Sequence, residues 1–219
     1  MRDGVTGIDR GAYVIAHPCR LFSTQIFALL ASLLFATGAD AQRFQWDENA
    51  AAKLPPYCRN AKTFRSHIPG TTYADVERWR KVMGDGFVHI HHYCQGLQLT
   101  HRALFESRTK EDRNRELSFS IAEFDFVLAR VDSTLPLLPE ILTKRGENLF
   151  LLERDPEAIA TLAKAIEVKS DYWPPYAALS DHYKKKGLLD EARNWLKRGL
   201  AASGGAKALE RRLKELPPN

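Results

Sequence analysis

The residues with the most chemistry in them stand in one run, His89-Ile90-His91-His92-Tyr93-Cys94, with His101 further along. Imidazoles so placed can ligate a transition metal or carry protons, provided that their nitrogens converge. On a helix His89 and His92 are three apart and share a face that runs on to Gly96, whereas His91 shares a different face with Gln95 and Gln98. His89 and His92 thus supply half of a metal site, and the remainder must come from elsewhere, from His67 or a carboxylate. No second ligand pair at zinc-site spacing exists, and neither His-Glu-x-x-His nor Cys-x-x-Cys-His is present. The competing reading is a polar seam in which these rings are wedged between helices and hydrogen bonded. That reading is preferred, so no metal and no cofactor is expected, and a metal-binding or catalytic protein built on His89, His91 and His92 is the alternative.

Other catalytic signatures are missing. The chain has no phosphate-cradling glycine loop, no Gly-x-Ser-x-Gly elbow and no aspartate-rich metal box. Gly84-Asp85-Gly86 lacks the preceding strand and the third glycine of a dinucleotide fingerprint, and Glu123 and Asp125 do not share a helix face. The formal charge of +5 is spread along the chain with no block concentrating it, and Lys184-Lys185-Lys186 reads as a solvated helix end. A nucleic-acid partner is not expected, because no basic face or recognition motif is visible.

The elements that must position these residues begin after a leader. Arg20 precedes the apolar run Ile26 to Ala36, followed by Thr37-Gly38-Ala39-Asp40-Ala41 and Gln42. Positive charge, a short apolar core and an Ala-x-Ala site make residues 1–41 a secretory signal peptide, cleaved near Ala41 to release a periplasmic or secreted protein. The alternative is an uncleaved inner-membrane anchor through residues 21–36, the only case in which membrane contact is expected. With Cys19 removed in the leader, Cys58 and Cys94 are the remaining thiols in a compartment where disulfides persist. A bond between them would close a loop of 36 residues and pin the proline-punctuated coil of residues 42–72 against the helix that carries the histidines.

Residues 73–138 read as helical. A short helix follows Thr72, capped by Thr72 or Asp75, and ends before Gly84-Asp85-Gly86. Phe87, Ile90, Cys94, Leu97, His101 and Leu104 then form one apolar stripe on a helix to about Ser107, interrupted only by Gly96. The polar segment Arg108 to Arg115 turns the chain, and a second helix runs from about Leu117 to Val131 with Ile121, Phe124 and Leu128 on one face.

Residues 139–206 hold two copies of one unit with a period of 34 residues, 139–172 and 173–206. Leu142 pairs with Tyr176, Leu149 with Tyr183, Ala158 with Ala192, Leu162 with Leu196 and Ile166 with Leu200. Each copy is a helical hairpin. Asp155 and Pro156 suit the start of a helix in the first, and Gly187 suits a left-handed stop in the second. Here the chain resembles the tetratricopeptide repeat family in its period and in Tyr176, Leu179, Ser180, Tyr183, Gly187, Ala192, Leu196, Gly199 and Leu200. The first copy matches through Gly146, Leu149, Ala158, Leu162, Ala165 and Ile166, but places Arg145 at an apolar position and Glu153 at the turn glycine.

The resemblance implies an all-α, helical-hairpin (TPR-like) α-solenoid with a degenerate N-terminal hairpin, because two repeats alone leave an apolar end uncovered. Residues 207–219 supply a C-terminal capping helix and tail, with Leu209, Leu213 and Leu216 facing inward. It also implies a concave groove lined by Glu140, Thr143, Glu147, Phe150 and Leu151 in the first copy and by Pro174, Ala177, Asp181, Lys184 and Lys185 in the second. Glu147 and Asp181 stand where carboxylate-clamping members carry asparagine, which disfavours an acidic C-terminal peptide. The expected function is an exported interaction module or assembly scaffold for a protein partner in the cell envelope.

Overall fold

The computed structural model describes residues 52–62, 64–66 and 70–217. The signal segment, residues 21–36 as an anchor, Cys19 and His67 lie outside the described residues. Within them the fold is all-helical, with no strand.

Two short 3-10 turns, Pro56–Asn60 and Phe64–Ser66, lead to α1 (Tyr73–Met83). Thr72 and Asp75 both cap α1: the Thr72 hydroxyl accepts from the Asp75 amide while the Asp75 carboxylate accepts from the Thr72 amide. A third 3-10 turn, Gly84–His89, delivers the chain into α2 (Ile90–Phe105). Then follow α3 (Lys110–Leu128), α4 (Leu138–Leu151), α5 (Asp155–Val168), α6 (Pro174–Lys185), α7 (Leu189–Ser203) and α8 (Lys207–Glu215). Helices α2 and α3, α4 and α5, and α6 and α7 form three hairpins, and each hairpin packs on the next.

The second helix of the first hairpin starts seven residues earlier than its apolar pattern indicates, at Lys110 and not Leu117. Thr109 caps it by accepting from the Asp112 amide at 3.0 Å, and its first turns present charge to water, so hydrophobic periodicity is silent there. Of the expected stripe Phe87, Ile90 and Cys94 are buried, Leu97 and His101 are half-buried and Leu104 is exposed, because the buried face of α2 continues through Leu99 and Ala103 instead.

The hairpins close tightly where the first helix carries a glycine. A Cβ at Gly96 would lie 2.3 Å from Phe124 Cε1, and one at Gly146 2.6 Å from Leu162 Cγ. Helices at this separation lose van der Waals contact if pushed apart by even a methyl group. Beside Gly96 a buried polar knot ties three helices together. Asn148 Nδ2 donates to Thr100 Oγ1 at 2.7 Å and to Ser120 Oγ at 2.9 Å, and both hydroxyls donate to the Gly96 carbonyl. Both amide protons of Asn148 and both hydroxyl protons thus find partners where little water reaches.

The two C-terminal hairpins repeat each other at their buried small and apolar positions. Ala158 and Ala192, and Leu162 and Leu196, are fully buried pairs at the same spacing. Glu153 and Gly187 hold the same left-handed turn, at φ 62° and 77°. Arg145, which replaces an apolar residue, is only 15% exposed and forms a bridge: its guanidinium donates to Asp125 on α3 at 2.6 Å, to Glu157 on α5 at 2.8 Å and to Thr161 at 2.8 Å. Asp155 does not cap α5. Its carboxylate instead reaches the next hairpin, 2.9 Å from Lys186 Nζ, where an ion pair replaces the local amide contact.

Both ends are closed. Leu209 and Leu216 of the C-terminal segment pack with Ala177, Ala192 and Leu196, and Leu213 joins them. At the other end Cys58 and Cys94 are disulfide-bonded, which fixes the 3-10 turns on α2. The 3-10 turns Pro56–Asn60 and Phe64–Ser66 stand where coil is expected: Tyr57, Cys58, Asn60, Ala61 and Phe64 are buried, and Trp79 Nε1 donates to Asn60 Oδ1 at 3.1 Å.

Two stability outcomes follow from this packing. Glu153→Gly relieves a left-handed glutamate, a cost of about 1–2 kcal/mol, offset in part by the glycine's greater unfolded freedom of about 0.5–1 kcal/mol. Its ion pair with Lys110 is solvent-exposed and contributes little. A net gain of about 0.5–1 kcal/mol is expected in urea denaturation, and an unchanged or lower midpoint would contradict it. Replacing either Cys58 or Cys94 by Ser removes a cross-link worth roughly 3–4 kcal/mol by loop entropy. Both variants should melt at similarly lowered temperatures, and a melting point equal to that of the oxidised protein would show that the bond stabilises nothing.

Candidate functional site

The residues expected to line a groove fall into three groups. Thr143 and Ala177 are 1% and 4% exposed, so they are packing residues and not lining. Thr143 turns its hydroxyl back onto the Pro139 carbonyl at 2.7 Å, and Ala177 belongs to the core beneath α8. The pattern placed them outward, but Ala177 is covered by the leucines of the C-terminal segment and Thr143 is buried on α4.

A second group is engaged within the chain. Glu140 Oε1 accepts from Tyr93 at 2.7 Å and from Tyr57 at 3.2 Å. Burial first, and the Glu140 carboxylate second or close behind, push both phenols well above their ordinary values, so they stay protonated donors. Tyr172 is pushed up to about 12 by burial and then by Glu140 and Glu147. Phe150 stacks face to face on His182 of the next hairpin, with ring centroids 3.9 Å apart, so it stitches hairpins together instead of standing free for a partner. Asp181 accepts from Arg212 of α8 at 3.1 Å.

The third group remains accessible. Glu147 pairs with Lys144 at 2.9 Å on the surface, Leu151 and Pro174 are half-buried, and Lys184 and Lys185 are exposed. Lys184, Asp181, Arg211, Arg212 and Glu215 line a cleft between α6 and α8. Sequence reasoning missed the tyrosine cluster around Glu140. A signal was present: a Cys58–Cys94 bond brings the backbones at Tyr57 and Tyr93 near each other.

The histidines separate into different environments. His92 stacks on Phe126 at 3.8 Å, and its Nδ1 lies 2.6 Å from Glu123 Oε2. His89 touches the same phenylalanine edge-on at 6.1 Å, so Phe126 is their common neighbour, and the rings that approach are His91 and His92, 4.2 Å apart. His89 ends the 3-10 turn, and the i,i+3 geometry expected of one continuous α-helix does not hold across that junction. His91 Nδ1 lies 2.9 Å from the Val88 carbonyl, and burial, then the neighbouring His92, lowers its ring to about 4. His101 sits elsewhere, between Lys53 and Glu106. Among the described residues no group of three or more His, Cys, Asp or Glu side chains is arranged to hold a metal ion. No helix among them is long and apolar enough to cross a membrane.

Comparison of the chain with family models, with curated proteins and with solved structures finds no match.

The stack between hairpins carries a pH dependence. His182, with a side chain 9% exposed, is lowered mainly by burial; Asp155 opposes this, while Lys186 and Lys185 add to it. The unfolded chain takes up the proton near pH 6.5, whereas the folded chain resists it to lower pH. Below about pH 6.5 the unfolded state therefore binds more protons, and stability falls with falling pH. Thermal melts between about pH 7.5 and 5 should show this decline, and His182→Gln should make it shallower. An identical slope in wild type and variant would remove His182 from the account.

Proposed function

We propose that the chain is an exported tetratricopeptide-type interaction module that binds a protein partner in the cell envelope along the first helices of its hairpins. The observation that supports this most directly is the matched turn at Glu153 and Gly187, where a non-glycine residue holds a left-handed conformation at the register of the repeat. The hairpins stack in series with α4 against α6, the arrangement in which first helices line one continuous surface. Export is supported by the arrangement of the leader and by a buried disulfide, a bond that persists in oxidising compartments.

The accessible residues define the chemistry of the surface. Glu147 and Asp181 disfavour an acidic partner terminus on this side, while Leu151 and Pro174 offer modest apolar contact. A partner segment bound there is extended or helical and mixed in charge, with Kd weaker than about 1 µM for so short a groove. The test is a pull-down from envelope extract with wild type and a Glu147→Lys, Lys184→Glu double variant. These side chains are surface-exposed or half-exposed, so the fold should change by no more than about 0.5 kcal/mol. The variant should lose partners that wild type captures, and identical partner lists would remove this surface from the proposal. N-terminal sequencing of the exported protein should read from Gln42, and an intact leader would replace export by anchoring.

A further inference from the structure

The pair His91 and His92 has a property that polar packing does not require. A backbone carbonyl can only accept, so the proton of His91 must sit on Nδ1, which faces the Val88 oxygen at 2.9 Å. The same holds for His92, whose Nδ1 faces the Glu123 carboxylate at 2.6 Å. In the neutral rings both Nε2 atoms then carry a lone pair, and among the described residues neither has a protein partner. The two rings lie 4.2 Å apart at 43°.

Metal-bound histidines almost always donate the distal ring N–H to a carboxylate or a backbone carbonyl, which fixes both tautomer and orientation. His91 has the carbonyl and His92 the carboxylate. Orientation is further held from the side, since Phe126 stacks on His92 and is itself covered by the Arg130 guanidinium at 3.5 Å. We propose that His91 and His92 bind one divalent transition-metal ion through their Nε2 atoms, with water completing its coordination. This is not the His89–His92 pair that helical spacing points to. His89 lies edge-on to Phe126, and its ring is no part of the site.

The surroundings set the strength. Glu123 supplies negative charge behind His92, while the N-terminal end of α2 and the positive charges of Lys62 and Arg130 oppose a cation. Two neutral imidazoles with water suit Cu2+, Ni2+ or Zn2+ and not Ca2+ or Mg2+, which require oxygen ligands. With two protein ligands, Kd of about 1–100 µM is expected, tighter for Cu2+ than for Zn2+.

The probe is Ni2+ or Zn2+ alone, in equilibrium dialysis against untagged protein at about pH 7.5. One equivalent should bind. His91→Gln and His92→Gln should each weaken binding by about tenfold or more, Glu123→Gln by about 10–100-fold, and His89→Gln should leave it unchanged. A thermal melt of each variant separates lost binding from lost fold. Should His92→Gln unfold, the wild type still decides: substoichiometric Ni2+ should broaden the imidazole NMR signals of His91 and His92 before those of His89, His101 and His182. Binding that survives both His variants, the absence of saturation below about 1 mM, or earlier broadening elsewhere would each overturn the site.

Discussion

The contact on which most of the architecture depends is Phe124 lying in the space above Gly96. A Cβ at position 96 would stand 2.3 Å from the Phe124 ring, so α3 lies on α2 at a distance that a larger residue could reach only by displacing it, and the Gly96 carbonyl beside it accepts from the hydroxyls of Thr100 and Ser120. Those hydroxyls in turn accept both protons of the Asn148 amide, which comes from α4. One missing methyl group therefore sets the closeness of the first hairpin and, through a buried polar knot that takes both Asn148 amide protons, the seat of the second. A buried amide with nowhere else to send its protons also specifies register, because a slip of α4 by one residue would leave Asn148 unpaired.

Between hairpins, the ties are side chains that a local reading assigns to other duties. Arg145 joins α3, α4 and α5 through Asp125, Glu157 and Thr161. Asp155 reaches Lys186, and Phe150 stacks on His182. Charge at these positions, partly shielded from water, is more effective than the exposed i,i+3 pairs along the helices, which contribute little individually. The N-terminal turns extend the same logic to the end of the stack, where Tyr57 and Tyr93 share one oxygen of Glu140.

The hairpins were legible because burial of one helical face leaves a periodic record, and the 34-residue repeat recorded the same packing twice. Capping of α1 was legible for a similarly local reason. What was not legible involved choices between near-equal partners. Asp155 has the sequence of a cap but meets a lysine from the next hairpin. Lys110 to Glu116 carry no apolar pattern because most of that stretch faces water, and Glu116, the exception, is buried against Arg102. Thr143 and Ala177 share a helix face with Glu147 and Asp181, and only the neighbouring helices decide that the former are covered. For the histidines the obstacle was a change of helix type at His89, which rotates every later ring relative to it. The two 3-10 turns at Pro56–Asn60 and Phe64–Ser66 are held by contacts with residues distant in sequence and leave no periodic trace, although the expected Cys58–Cys94 bond is present and points to them.

The two closures of the stack differ in kind. The N-terminal one is covalent, while the C-terminal one rests on Leu209, Leu216 and a few polar contacts such as Arg193 with the Pro217 carbonyl. A linear array unravels from its weaker terminus, and each lost unit exposes the face of the next. Directionality is thereby expected of an otherwise repetitive molecule: opening should begin at α8 and travel toward the histidine-bearing hairpin, which the cystine holds. Under reducing conditions that polarity disappears, and the same array becomes free to fray from both ends.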